Sequence, residues 1–174
     1  MPPSPSITLR PIQEADADAL YPQLVGTSVT DTILWDGPES LEAYRARFAE
    51  RAPLVARGEA HLFTICADGA PIGCIDARPE SAIRGSMGLW VGPAHQGRGH
   101  GTRAVHLLAR YAFGPLGLRK LEAMVFVGNH ASRRIFEKNG FRLEGTIRRA
   151  AQKRGAFLDE WLLGLLDEEL PSPG

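Results

Sequence analysis

The sequence is poor in cysteine and carries no excess of charge of either sign. Its two cysteines, Cys66 and Cys74, lie in apolar, strand-like segments where small thiols are usually buried, which argues against a disulfide framework or a cysteine metal site. Lysine and arginine together number 20, as do aspartate and glutamate. This balance creates no global electrostatic field, so neither nucleic acid nor a membrane surface is expected as a partner.

Long apolar runs are also missing. No stretch approaches the ~20 residues of a membrane-spanning helix, and the first residues have neither the basic region nor the apolar core of a signal peptide. A cytoplasmic location is therefore expected. With 174 residues, of which 44% are apolar, the chain is long enough for one domain with a real core and too short for two. We place this domain at residues 7–168, between a flexible N-terminal tail, residues 1–6, and a C-terminal tail, residues 169–174.

Apolar periodicity predicts an α+β domain, in which helices flank a mixed, mostly antiparallel sheet of about seven strands. Strands are expected at residues 7–12, 62–66, 72–75, 87–91, 121–127, 141–149 and 157–166. Helices are expected near residues 14–20, 41–55, 102–113 and 130–138. Pro22 should break or kink the first helix, and residues 27–38 are expected to form a loop. Asp68 and Gly69 predict a hairpin turn.

A glycine-rich turn between a strand and a helix is the most informative stretch. It consists of Gln96, Gly97, Arg98, Gly99, His100, Gly101 and Thr102. Glycines at alternate positions leave backbone N–H groups unobstructed where the helix begins, and a helix start carries unpaired donors and partial positive charge. The turn therefore suits an anion such as a pyrophosphate.

Several interpretations of this turn compete. Residues 99–104 fit the dinucleotide pattern G-x-G-x-x-A, and Glu122 falls near the expected ribose-binding position, but Glu122 lies near the start of a strand rather than at its end. No Lys-Ser/Thr pair follows, as a Walker phosphate loop requires. The spacing of Gln96, Gly99 and Gly101 resembles the acetyl-CoA pyrophosphate turn of the GNAT superfamily of N-acetyltransferases. A plain glycine loop entering a helix would also fit this turn taken alone.

A second motif makes the resemblance more specific. GNAT proteins follow the turn and its helix with a strand ending in Asn, a short helix and a closing Gly-Phe, and this chain has Asn129, Ser132 and then residues 136–141, Phe-Glu-Lys-Asn-Gly-Phe. The match extends over residues 7–166. The opening Ile-Thr-Leu-Arg-Pro-Ile and the Asn-x-x-Ser variant are most similar to the branch related to ribosomal-protein alanine and serine N-terminal acetyltransferases.

The resemblance implies acetyl-CoA as the cosubstrate. The turn from Gln96 to Thr102 would hold its pyrophosphate, and the backbone of Trp90 and Val91 would bond the pantetheine amides, as an added strand would. Asn129 would bond the cofactor's amide region, act as helix N-cap, or do both. No metal is expected, because the five histidines lack metal-ligand spacing, and His95 and His100 are expected to be exposed.

The implied reaction is direct attack of a neutral primary amine on the thioester. Many relatives protonate the leaving thiolate with a Tyr, but Phe136 occupies that position and has no proton to donate. Ser132, one helical turn earlier, is the predicted catalytic residue. Its hydroxyl would stabilise the developing negative charge on the sulfur. Ser86 stands where relatives often carry Glu, so a bound water is the first candidate for the base and Glu122 the second.

A protein or peptide N-terminus is the first choice of acceptor, with a polyamine, amino acid or aminoglycoside as the alternative. A non-catalytic CoA-binding domain is a second alternative, because fold alone does not establish activity. Residues 27–38, Ser86 and the turn at residues 148–155 would contact the acceptor, and Trp35 would either line its site or pack at the core edge. The four cations of that turn would attract an acidic partner or form a solvated hairpin tip. The apolar last strand is compatible with a monomer or a homodimer.

Overall fold

The structure, a computed structural model, describes residues 5–172 and contains seven β-strands and five α-helices. The strands are β1 (Ile7–Pro11), β2 (His61–Ala67), β3 (Ala70–Pro79), β4 (Arg84–Val91), β5 (Lys120–Phe126), β6 (Arg142–Lys153) and β7 (Ala156–Leu166). The helices are α1 (Asp16–Leu24), α2 (Val29–Thr32), α3 (Leu41–Ala56), α4 (His100–Phe113) and α5 (His130–Glu137). Short 3-10 helices span Pro93–His95 and Asp167–Glu169. Parts of both predicted tails, residues 1–4 and 173–174, lie outside the described residues.

All seven strands belong to one sheet with the order β1-β2-β3-β4-β5-β7-β6. Every neighbouring pair is antiparallel except β4 and β5, which run parallel. The predicted α+β domain with a mixed, mostly antiparallel sheet is therefore confirmed. In the parallel pair, only Arg84–Ser86 of β4 pair with Lys120–Glu122 of β5, although both strands continue beyond these residues. The two strands are not paired beyond that point.

Helices pack on both faces of the sheet. Cys74 and Ile75 are neighbours on β3 and therefore point to opposite faces. Ile75 belongs to the large core that contains α4 and Leu121 of β5. Cys74 packs against a smaller cluster formed by α1 and by Tyr44 of α3. The α1–α3 layer thus lies opposite α4.

Two helix predictions need correction. Helix α1 does not end at Pro22 but continues to Leu24, whose buried side chain packs in the cluster with Tyr44. The predicted loop at residues 27–38 contains the one-turn helix α2. Helix α3 covers the predicted residues 41–55 and ends at Ala56.

A buried carboxylate joins α1 to the sheet. Asp16 is only 4% exposed. It accepts hydrogen bonds from Arg10 Nη1 on β1 (2.8 Å) and from Thr64 Oγ1 on β2 (2.6 Å). Burial opposes ionisation of Asp16, but the hydrogen bonds from Arg10 and Thr64 outweigh it and hold the pKa of the carboxyl below its usual value.

Replacing Asp16 with Asn should destabilise the fold by about 2–4 kcal/mol, because Arg10 and Thr64 lose their ionised acceptor. Urea unfolding measures this change. Asp18→Asn is the matched control, since Asp18 lies on the same helix in an ion pair with Arg45 at 56% side-chain exposure. Its cost should be at most about 1 kcal/mol. Equal costs for the two variants would contradict the role given to Asp16.

The effect of Asp16→Asn should depend on pH. A depressed pKa in the folded state stabilises the fold above the unfolded pKa of about 3.9 and stops doing so as the pH falls through the folded value. The stabilities of the wild type and of Asp16→Asn should therefore converge below about pH 4. A difference that persists at lower pH would show that charge is not its source.

Candidate active site

The separation of β4 from β5 opens a cavity beside α3 that extends into the split between the strands. Its volume is about 510 Å³. The segment around α2, one side of α3 and the start of α5 form its walls together with residues of strands β2, β3, β4, β5 and β7. Its charged, amide and hydroxyl side chains are Thr32, Tyr44, Arg47, Arg51, Asp76, Arg78, Glu80, Ser86, Asn129, Ser132 and Glu160.

The glycine-rich turn leaves the start of α4 open to an anion. Gly97 and Gly99 have φ values of 74° and 80°, which favour glycine. No atom lies within 4 Å of a Cβ built at either position. Helix α4 begins at His100 without a side-chain cap, so the N–H groups of its first turn, including that of Thr102, are not used by a cap. This arrangement fits a pyrophosphate.

The other predicted residues of the turn have distinct surroundings. Gln96 Nε2 donates to the last carbonyl oxygen of β4 at 2.8 Å and so closes the turn onto the strand. A Cβ on Gly101 would approach Ile135 Cδ1 to 2.9 Å, so glycine here allows α4 to pack closely on α5. Arg98 is exposed and forms no ion pair within residues 5–172. Its guanidinium is available to a phosphate group.

The prediction that His100 is exposed is wrong. The side chain is only 5% exposed, and neither ring nitrogen has a hydrogen-bond partner among the described residues. Burial lowers the pKa of His100, and the nearby charges of His95 and Arg98 lower it further. His95 is half-buried, with its ring centroid 6.3 Å from that of His100. The turn therefore presents the backbone of His100, and not its imidazole, to a ligand.

The end of β4 offers backbone groups to the split. Trp90 lines the cavity, whereas Val91 is buried and its carbonyl oxygen already accepts from Gln96. Beyond Ser86 the strand pairs with β3 on one side and has no strand partner on the β5 side. That edge of β4 is accessible to the amides of an extended ligand.

Asn129 and Ser132 lie together on the cavity wall at the start of α5. Asn129 is the N-cap of this helix, and its Oδ1 accepts from the backbone N–H of Ser132 at 3.1 Å. The cap uses the amide oxygen, so the Nδ2 group remains free to donate to a ligand. Phe136, one turn after Ser132, is 2% exposed and packs against Phe141.

The two glutamates near the split differ in their surroundings. Glu122 does not line the cavity, and its carboxylate pairs with Lys120 at 3.0 Å and Arg84 at 3.5 Å. Glu160 lines the cavity from β7 and has no ion-pair partner within residues 5–172. Burial raises the pKa of Glu160, which brings this carboxylate closer to the range of a general base.

Glu160 was missed because the last strand was interpreted only as apolar. A signal was present in the alternation along β7. Trp161 and Leu163 are buried in the core, so Glu160 and Leu162 must point to the opposite face. A charged residue on that face, opposite Phe126 of β5, could have been recognised as a candidate site residue.

The segment around α2 is attached to the tip of the β6–β7 hairpin by a cluster of ion pairs. Lys153 is 8% exposed, and its Nζ donates to Asp36 Oδ1 at 2.6 Å and to the carbonyl oxygen of Leu34 at 3.3 Å. Arg154 pairs with Asp31 at 2.8 Å and with Asp36 at 3.0 Å. We call these contacts the loop latch. Of the two alternatives considered for the cations of this turn, a solvated tip does not describe Lys153, whereas Arg154 is 54% exposed.

Trp35 combines the two roles considered for it. It lines the cavity, and its ring lies 5.9 Å from that of Tyr44. The guanidinium of Arg47 stacks over the indole at 4.2 Å from its centroid. The loop latch and this stacking together position the α2 segment over the cavity.

Residues 5–172 contain neither a metal-ligand cluster nor a membrane-spanning helix. No three histidine, cysteine or acidic side chains come together in a way that could hold a metal ion. None of the helices in this part of the chain has both the length and the apolar character needed to cross a membrane.

Comparison with known proteins agrees with this geometry. The family model described as "Acetyltransferase (GNAT) domain" matches residues 6–142. The probable N-acetyltransferase YjcK of Bacillus subtilis is 32% identical over 137 residues, which cover 75% of each chain. The structure is similar to that of Mycobacterium smegmatis RimJ in complex with CoA-disulfide. The TM-score is 0.90 at 24% identity, over 98% of this chain and 86% of that one.

Relatives with different named acceptors also match. The putative ribosomal N-acetyltransferase YdaF of Bacillus subtilis is 29% identical over 173 residues, covering 94% of this chain and 92% of its own. The spermidine N(1)-acetyltransferase of Escherichia coli is 28% identical over 153 residues, covering 84% of this chain and 78% of its own. Overall sequence similarity therefore does not distinguish between a protein and a polyamine as the acceptor.

Replacing Lys153 with Met should release the α2 segment from the hairpin, because Asp36 and the Leu34 carbonyl lose their shared donor. Backbone amides of residues 33–36 should then exchange with solvent about tenfold faster or more, since one charge-assisted hydrogen bond contributes about 1.5–3 kcal/mol. Hydrogen-exchange mass spectrometry measures this. Arg142→Met, which removes an exposed ion pair with Glu169, is the control and should leave the segment unchanged. Unchanged exchange in Lys153→Met would contradict the latch.

Proposed function

Because this chain belongs to the GNAT acetyltransferase family, we propose that it transfers the acetyl group of acetyl-CoA to the primary amine at a protein or peptide N-terminus. The observation that carries the proposal is one continuous cavity. It extends from the split beside Ser132 to the α2 segment that the loop latch holds in place. An extended peptide end can enter such an open channel with its amine directed at the split.

The residues around the split fit acetyl-CoA. The uncapped start of α4, with Arg98 beside it, would take the pyrophosphate. The free edge of β4 near Trp90 would bond the pantetheine amides, and Asn129 Nδ2 would donate to the same arm. Acetyl-CoA bound in this way would place its thioester near Ser132.

The chemistry requires two proton transfers. The neutral amine attacks the carbonyl carbon, the new C–N bond forms, and the C–S bond breaks as the thiolate leaves. Glu160 accepts the proton that the amine loses, directly or through one water. Ser132 donates a hydrogen bond to the departing thiolate, which takes up a proton in the same step or from solvent. Glu122 does not line the cavity and is held in two ion pairs, so Glu160 takes the role of the base.

A small amine remains the second candidate, because a matching relative is named as a spermidine acetyltransferase. A CoA-binding domain without activity is the third. The predicted cytoplasmic location and the monomeric or dimeric state stay predictions.

A panel of N-terminal peptides tested against spermidine, amino acids and an aminoglycoside distinguishes these candidates. Release of free thiol from acetyl-CoA should occur with peptides. Turnover of small amines alone would overturn the proposed acceptor. Binding of acetyl-CoA without thiol release from any amine would indicate a binding domain. At one hundred times the dissociation constant, acetyl-CoA should stabilise the fold by about 2.7 kcal/mol, which thermal unfolding detects.

Substitution of either proton-transfer residue should lower the rate of acetyl transfer. Ser132→Ala should lower the rate at saturation about ten- to a hundredfold, and Glu160→Gln should lower it about a hundredfold or more, because each removes one proton-handling group. Acetyl-CoA affinity, measured by calorimetry, should change little in either variant. Ser132→Thr keeps the hydroxyl and should recover part of the lost rate.

Glu122→Gln is the matched control for Glu160→Gln, since both change one glutamate near the split. It should keep its turnover. If Glu122→Gln abolishes turnover with cofactor binding intact while Ser132→Ala and Glu160→Gln remain fully active, both assignments are wrong.

A further inference from the structure

Three arginines line the part of the cavity under α3. Arg47 and Arg51 project from α3, one helical turn apart, and Arg78 comes from β3 below them. Arg78 pairs with Asp76 at 3.0 Å. Neither Arg47 nor Arg51 has a carboxylate within 4.0 Å among residues 5–172. Two guanidinium groups on the cavity wall are therefore left without a direct counter-ion.

The surroundings of Arg47 and Arg51 favour the binding of an anion. Burial and the adjacent charge of Arg51 lower the pKa of Arg47, and the opposing charge of Glu50 does not offset them. Like charges one helical turn apart repel each other. The stacking of Arg47 on Trp35 nevertheless holds its guanidinium in place at the cavity wall. The structure thus maintains two neighbouring, partly buried cations that a bound anion would stabilise.

The other carboxylates on the cavity wall do not neutralise them. Asp76 is already engaged by Arg78 at 3.0 Å. Burial raises the pKa of Asp76 even though the charges of Arg78 and Arg51 oppose this. Glu80 is engaged by Arg84 at 3.4 Å. Glu160 lies on β7, at the side of the cavity where Asn129 and Ser132 are found.

The charge of the cavity is consequently divided between its two sides. Glu160, near Ser132, favours an amine. Arg47 and Arg51, next to the α2 segment, favour a carboxylate, because guanidinium groups match carboxylate oxygens in charge and in geometry. A polyamine carries positive charge along its whole length, so its distal amines would be repelled by the arginines.

We propose that Arg47 and Arg51 bind a carboxylate of the acceptor, so that the preferred substrates are N-termini followed within the first few residues by an acidic side chain. This inference rests on the proposed function and names the substrate class of the same site. A free amino acid offers the same carboxylate chemistry from a different source. The experiment must therefore separate the two.

The test uses four acceptors with the intact protein. Three peptides start with serine, share one C-terminally amidated tail, and carry Glu, Gln or Lys at positions two and three; free glutamate is the fourth. One charge-assisted contact should raise kcat/KM for the Glu peptide about ten- to a hundredfold over the Gln peptide. The Lys peptide should be the poorest of the three.

Substitutions then assign the preference to residues. Arg47→Gln and Arg51→Gln should each reduce the ratio of kcat/KM for the Glu and Gln peptides towards one. Arg51→Glu should favour the Lys peptide instead, and this gain keeps the test informative if loss-of-charge variants fold poorly. Arg45→Gln is the matched control, because Arg45 lies on the same helix, pairs with Asp18 and is absent from the cavity wall. It should preserve the preference.

The outcomes separate this inference from the proposed function. Equal turnover of the three peptides, a preference for Lys, or a Glu preference that survives both Arg47→Gln and Arg51→Gln overturns the inference and leaves peptide acetylation standing. Turnover of free glutamate above every peptide overturns the preference for peptides. Turnover of spermidine without any peptide turnover overturns the proposed function itself.

Discussion

The early end of the parallel pairing between β4 and β5 is the constraint on which the rest of the site depends. After Ser86 and Glu122 the two strands no longer share hydrogen bonds, although each continues in its own antiparallel pair. The gap exposes one edge of β4 in the middle of the sheet, where a strand would normally cover it. It also brings the start of α5, with Asn129 and Ser132, to the wall of the cavity. The exposed edge of β4 and the cavity beside the start of α5 both follow from this single break in the pairing of β4 with β5.

Packing on either side keeps the gap open. On one side β5 is paired with β7 along its whole length and is anchored in the core through Leu121, Ala123 and Val125. The close approach of α4 to α5 at Gly101 packs the glycine-rich turn against the helix that carries Ser132. On the acceptor side, the α2 segment is held by Lys153 from the hairpin tip. Both walls of the cavity are thus supported by contacts outside it, which favours a preformed site.

The features that the sequence predicted correctly are local in the chain. The strand, glycine turn and helix around Gly99, and the Asn129 cap three residues before Ser132, depend on neighbouring residues, so the order of the elements and the family resemblance followed from short patterns. The features it missed come from contacts between distant segments. Lys153 meets Asp36 from 117 positions away in the chain. The lack of a carboxylate partner for Arg47 and Arg51 is apparent only in the folded structure. No local sequence pattern indicates that the side chain of His100 is buried.

Hydrogen exchange of the backbone, followed with and without acetyl-CoA, tests whether the cofactor lies in the split between β4 and β5. If acetyl-CoA lies in the split, it should slow the exchange of amides at two places: the end of β4, from Gly88 to Val91, and the turn from Gly97 to Thr102. The strands β1 and β2, at the far edge of the sheet, should be unchanged. Protection confined to other surfaces, or binding that protects neither segment, would show that acetyl-CoA does not lie in the split.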